Sequence, residues 1–279
     1  MDGGVYPPIL AGNERILQVR NLTKVYPNPG GADLEDLVVL DGISFDVREG
    51  EFVTIVGPSG SGKTTLLNII AGLESYDGGD VVVSGHQVSG SGTDIAMIFQ
   101  EDSLFPWLNV QDNVAFGLKQ RGVPKDERGK MASQYIELVG LTKFAKSYTH
   151  QLSGGMKQRV AIARGLAMNP RVLLMDEPFG ALDVLTRETL QYQIQEIHER
   201  TGKTILFVTH DVREAATLGD RVIMFSHGPA KIKEQYLIDL KRPRNVEDPA
   251  LTGTIGAILK NLREEDVFAT DKDNLGSRE

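Results

Sequence analysis

A chain of 279 residues, 41% hydrophobic and 24% charged, can bury a full core as a soluble globular protein. Its net charge of −8 argues against a partner bound by neutralising many phosphates, so no nucleic-acid partner is expected. The absence of cysteine excludes disulfides and thiolate metal sites, and no apolar run reaches the roughly eighteen residues of a membrane span. Any membrane role is therefore expected to come through a partner.

Residues 1–14, rich in Gly and Pro, read as a loose arm without the basic start and apolar core of a signal peptide. Ile16 to Val19 is strand-like and leads to Tyr26, an aromatic able to stack on a base, although one Tyr alone is more often core or surface. Asn28 to Asp36 is a polar turn-forming insertion, and Val38 to Val47 reads as two further strands.

Glu51 to Val56 is a buried strand that runs into Gly57-Pro58-Ser59-Gly60-Ser61-Gly62-Lys63-Thr64-Thr65 and then into an apolar-faced helix. Strand, glycine-rich turn and helix start together form a phosphate cradle. Gly57, Gly60 and Gly62 carry no Cβ, so successive N–H groups can face an oxyanion at the positive end of the helix dipole. Lys63 would then reach the outer phosphates and the Thr64 hydroxyl would ligate Mg²⁺.

Asp80 to Val83 and Ile95 to Phe99 are strands, the second ending at Gln100. From there Leu104 to Phe116, Lys125 to Val139 and Thr142 to Tyr148 show helical spacing and loops rather than strands, which marks residues 101–158 as a helical insertion in an α/β core. Ser153 suits an N-cap, and Gly154 and Gly155 leave the first-turn amides of a helix to Met168 unshielded. Val172 to Met175 is continuously apolar, as a central parallel strand should be, and ends in Asp176 and Glu177. Two acids at that end sit where ligands bind in open sheets; one can hold a metal while the other addresses an attacking water.

A turn through Asp183 precedes a helix ending near Arg200, and the next buried strand, Thr204 to Thr209, stops at His210. His86, His150, His198 and His227 fall in turns or on a polar helix and are expected to be solvated. Arg221 to Phe225 and Ile232 to Leu240 complete the sheet. The tail 246–279 holds eight acids and four Lys or Arg; its Leu251, Ile255, Ile258, Leu259 and Leu262 fall on one helical face, so a short docked helix should precede a disordered acidic end.

In this order the cradle, Gln100, Leu152-Ser153-Gly154-Gly155-Met156, Asp176-Glu177 and His210 resemble the ATP-binding cassette ATPases over residues 15–245. The resemblance implies a P-loop NTPase fold, a RecA-like core with an antiparallel β-subdomain and an inserted helical subdomain. It further implies ATP and Mg²⁺ as cofactors, with Tyr26 as the adenine-stacking aromatic and Gly57 to Thr65 as the phosphate loop. Thr64, Gln100 and Asp176 would meet the metal; Glu177, His210 and Lys63 would carry catalysis, Glu177 as general base. Two cassettes of this family pack head to tail, so Ser153, Gly154, Gly155 and Asp183 would serve nucleotide held by a second ATPase subunit, identical or paralogous. Gln100 to Trp107 and Met175 to Asp183 are similar to importers of the nitrate, sulfonate, taurine and bicarbonate group. Such a chain would work as a peripheral subunit at the cytoplasmic face of a bacterial membrane, with integral permease subunits and, indirectly, a periplasmic or lipid-anchored solute-binding protein. A soluble cassette of cluster assembly and the ATPase of an exporter are the alternatives.

Overall fold

The computed structural model describes residues 14–28 and 35–276, with side chains described to 265. The expected arm and most of the Asn28 to Asp36 insertion lie outside the described residues.

Two sheets carry the chain. Strands β1 (Arg15–Tyr26), β2 (Leu37–Arg48), β4 (Gly78–Val83) and β5 (His86–Gln87) form an antiparallel sheet in the order β2-β1-β4-β5. The second sheet has the order β10-β9-β3-β8-β7-β6, with β3 (Phe52–Val56), β6 (Ile95–Ile98), β7 (Val172–Asp176), β8 (Thr204–Thr209) and β9 (Arg221–Phe225) parallel and β10 (Ile232–Leu237) antiparallel at the edge. Every residue of β3, β7 and β8 is buried, the consequence of helices on both faces. Residues 38–47 form part of one strand, not the two expected. The Asp41-Gly42 pair, with Gly42 at φ +67°, is absorbed as an irregularity in the β1–β2 register where a turn would otherwise have stood.

Helix α1 (Lys63–Ile70) follows β3 and buries Leu66, Leu67, Ile69 and Ile70 in a core shared with the antiparallel sheet. A second core joins the other sheet face to α2 (Val110–Gln120), α3 (Lys125–Leu138), α4 (Gly154–Ala167) and α5 (Val184–Thr201). The helical insertion is real, but α2 starts at Val110 instead of near Leu104. Asn109 caps it, accepting the Asp112 N–H at 2.8 Å, and the buried Asn113 amide holds residues 105–109 as a loop through the carbonyls of Phe105, Leu108 and Asn109. Thr142 to Tyr148 contains one 3₁₀ turn, Thr142–Phe144, and no full helix.

Helix α6 (Val212–Leu218) and the start of α7 (Pro249–Gly276) close a third core against β9, with Leu251, Ile255 and Ile258 buried. The tail helix docks on the expected face but runs to Gly276, well beyond the short helix expected. No helix among the described residues is long and apolar enough to cross a membrane.

Candidate functional site

The loop between β3 and α1 is shaped by glycine at two close approaches. A Cβ on Gly57 would meet Phe225 Cβ at 2.9 Å, and one on Gly62, at φ +79°, would meet Val39 and Leu40 side chains at 2.8 and 2.9 Å. The loop thus lies against β9 and β2. Lys63 turns back into it: its buried ammonium donates to the carbonyls of Gly57 at 2.9 Å and Pro58 at 2.7 Å and to Ser61 Oγ at 3.3 Å. Burial lowers the Lys63 pKa, while Glu177 and Asp176 oppose that shift.

The Thr64 hydroxyl donates to Asp176 Oδ1 at 3.1 Å, which joins the helix start to the end of β7. Burial raises the Asp176 pKa, with the Thr64 hydrogen bond acting against it. Glu177 sits one residue on, at φ +41°, its N–H donated to the Val208 carbonyl at 3.0 Å. That bond carries the β7–β8 pairing one step past the strand end. Glu177 Oε2 consequently lies 2.8 Å from Nδ1 of His210, two residues beyond Val208. Gln100 closes the same side, since its Nε2 and Glu177 Oε2 lie 3.5 and 3.9 Å from the point where a Cβ on Gly180 would stand.

This constellation fits a nucleoside triphosphate with Mg²⁺. The donors it offers a metal are the Thr64 hydroxyl and the Asp176 carboxylate, and among the described residues no group of three or more His, Cys, Asp or Glu could hold a cation alone. A Mg²⁺ ion, which retains water and is held through one or two carboxylates together with substrate phosphates, suits that sparse set.

Tyr26 is brought to this site despite the long insertion after it. Its hydroxyl is hydrogen-bonded to Glu74 and to the Thr65 side chain, and the Lys24 ammonium stands 4.8 Å from the ring centroid. Ser153, Gly154, Gly155 and Asp183 form a separate group. Ser153 caps α4, accepting the Met156 N–H at 3.3 Å; a Cβ on Gly155 would meet Thr186 Cγ2 at 2.4 Å, and Asp183 caps α5 through Thr186 N–H at 3.1 Å. No hydrogen bond or ion pair among the described residues links this group to Lys63, Thr64 or Asp176.

The sequence matches the ABC transporter family over residues 40–180, half of the chain. The chain belongs to that family. Two similar relatives are the nitrate import ATP-binding protein NrtD of Synechocystis, 47% identical over 84% of this cassette and 85% of the relative, and the taurine import ATP-binding protein TauB of Roseobacter denitrificans, 43% identical over 79% and 81%. Among solved structures the cassette is similar to a dimeric ATP-binding cassette in a post-hydrolysis state bound to ADP and Pi, with 34% identity, a TM-score of 0.70, and coverage of 81% of this chain and all of that one. The cassette's antiparallel sheet, parallel sheet and helical insertion are thus a P-loop NTPase fold with both family subdomains.

Sequence reasoning missed three features, one at the far end of the sheet and two around the site. His198 is buried instead of solvated, because it packs edge-on to Phe52 with ring centroids 5.3 Å apart and its Nδ1 meets the Lys203 carbonyl at 3.0 Å. Lys24 and Glu74 flank Tyr26 without a motif of their own. Glu214 is buried beside the His210 turn; the Asp211-x-x-Glu214 spacing would have suggested a helix capping box, yet the Asp211 N–H goes to Thr209 Oγ1 at 3.0 Å instead.

Proposed function

We propose that this cassette binds Mg²⁺-ATP and hydrolyses it to drive import of a small anion or organic solute of the nitrate, sulfonate, taurine or bicarbonate type. It does so as one of two cassettes packed head to tail on permease subunits at the cytoplasmic face of the membrane, downstream of a solute-binding protein. The observation that carries the reading is the pair of adjacent acids in different settings. Asp176 is buried and already engaged by the Thr64 hydroxyl, whereas Glu177 turns to His210. A carboxylate committed to a metal-side hydroxyl is poorly placed to take a proton, and its neighbour is free to do so.

In this reading the amides of Gly60, Ser61, Gly62 and Lys63, with the Lys63 ammonium, hold the phosphates. Ser59 and Thr65 complete the rim, and Tyr26 supports the adenine. Thr64, Asp176 and Gln100 hold Mg²⁺, which when bound offsets charge on the outer phosphates. Glu177 accepts the proton of the attacking water, and His210 orients Glu177 through Nδ1 while its ring faces the γ-phosphate. Ser153, Gly154 and Gly155 present their helix start to nucleotide in the second cassette, and Asp183 lies at the same junction.

The importer reading is supported by the names of the nitrate and taurine relatives and by the segment Gln100 to Trp107. The test is to tag the chain in its host, purify it from solubilised membranes and measure phosphate release in vesicles. Recovery with a multi-span membrane protein and solute-binding-protein-stimulated hydrolysis are expected. Recovery with soluble cluster-assembly proteins alone would sink the importer assignment.

A further inference from the structure

One buried carboxyl next to the reacting pair has no part in the chemistry described so far. Glu214, on the first turn of α6, is 5% exposed. Its Oε1 accepts Gln191 Nε2 at 3.0 Å, and its carboxyl also engages the Thr209 side chain. Thr209 Oγ1 already accepts the Asp211 N–H at 3.0 Å, so its own proton is the one available to Glu214. Thr209 and Asp211 are the two neighbours of His210. Asp211 is fixed again from the other side, because its Oδ1 accepts the N–H groups of Arg213 at 2.8 Å and Glu214 at 3.2 Å, and Arg187 Nη1 lies 4.0 Å from Oδ2.

Gln191 and Arg187 stand one turn apart on α5, the helix that Asp183 caps, and Arg187 also donates to the Leu182 carbonyl at 3.2 Å. Two bridges therefore fasten α5 to the turn that displays His210. Burial raises the Glu214 pKa, with the Thr209 and Gln191 hydrogen bonds opposing it. An apolar side chain of similar volume would fill this position without that desolvation cost, so the carboxyl contributes something other than packing.

We propose that Glu214, braced by Gln191, is a positioning residue for hydrolysis: it sets the Thr209–Asp211 turn so that His210 Nδ1 meets Glu177 Oε2. The inference rests on the reading of the chain as an ATP-hydrolysing cassette. An amide at 214 leaves one acceptor oxygen where the carboxylate has two and replaces the other with a donor, and a leucine at 191 removes the brace while leaving the buried carboxyl in place.

The test uses the full chain with Glu214→Gln and, in case that variant folds poorly, Gln191→Leu. Steady-state kcat and KM for Mg²⁺-ATP are measured together with the imidazole ¹⁵N resonances of His210, assigned by their loss in His210→Ala. Each variant should lower kcat about tenfold, a coupling of ordinary size for a hydrogen-bonded neighbour, with KM within about twofold of the parent. The His210 resonances should move while those of His86 and His150 stay in place. Unmoved His210 resonances, an unchanged kcat, or a rise in KM at constant kcat would each overturn the proposal. A parent protein that releases no phosphate from ATP would instead overturn the hydrolytic reading beneath it.

Discussion

His210 Nδ1 and Glu177 Oε2 meet at 2.8 Å although 33 residues separate them, because each leaves the end of one of two adjacent parallel strands. Parallel pairing of Asp176 with Val208 brings both turns to the same edge of the sheet, where a general base and the group that orients it can share one proton site. Glu177→Gln keeps the shape but loses the basic oxygen. Single-turnover hydrolysis should fall about 10²–10⁴-fold while ATP affinity holds, leaving an ATP-bound dimer visible by gel filtration. His210→Ala should fall in the same class. Hydrolysis at the parental rate in either variant would remove that residue from the catalytic group.

Tyr26→Ala should weaken ATP and GTP alike by about 1–3 kcal/mol, since a π-face does not distinguish base edges. Tyr26→Phe separates the ring from its hydroxyl bonds to Glu74 and Thr65 and should retain most of the affinity. Equal nucleotide affinity in the parent and Tyr26→Ala, by calorimetry, would place the base elsewhere.

His198 makes the fold sensitive to acid. Burial first, then the nearby Arg242 charge, lowers its pKa from 6.5 to about 4. The unfolded chain therefore binds a proton that the folded chain refuses, so stability is intact above about pH 6.5 and is lost as pH falls toward 4, by on the order of 3 kcal/mol in total. His198→Phe should flatten the fall of Tm between pH 6.5 and 4.5. A parallel descent of both proteins would assign the acid sensitivity to other groups.

The end of the chain can be probed by two truncations. Glu265 accepts the Lys233 ammonium and, at 3.1 Å, the His227 N–H, which ties α7 to the β9–β10 turn. Ending the chain after Glu265 should leave Tm nearly unchanged. Ending it after Arg263 should cost about 1 kcal/mol more, the value of a partly exposed, charge-assisted contact. Indistinguishable melts for the two would show that the contact contributes nothing.

Trp107 is 69% exposed, its ring centroid 5.5 Å from that of Phe105, which packs at a tilt of 41° on Phe116 with centroids 4.3 Å apart and under the Arg164 guanidinium. An exposed tryptophan on a supported ledge suits a permease helix better than a core. Trp107→Ala should leave folding and ATP binding intact and weaken assembly with the permease by about 2 kcal/mol. Normal assembly and transport by the variant would dismiss the contact.

The fold was most legible where one short segment carries its own reason. Gly57 to Thr65 needs no distant partner to be recognised, and the unbroken apolar runs at β3, β7 and β8 declare burial on both faces. Legibility failed where a distant group decides the outcome. Asp41-Gly42 reads as a turn until β1 pairs across it, and the loop before Val110 is held by the Asn113 side chain, which sequence periodicity does not register. His198 looked polar because its helix is polar, yet Phe52 covers it. Among the site residues the meeting of Glu177 and His210 was readable from their places at strand ends. The Glu214 brace was not, since a carboxylate on an opening helical turn ordinarily signals only a cap.

Glu177 stands at a left-handed φ of +41°, a conformation that costs a side chain with a Cβ on the order of 1 kcal/mol or more and that glycine or asparagine adopts readily. The backbone and the chemistry therefore want different residues at the same position. A mutant library ranked by melting temperature should enrich glycine and asparagine at 177, and the same library ranked by phosphate release should discard them. Thermal robustness and turnover trade against each other at this residue.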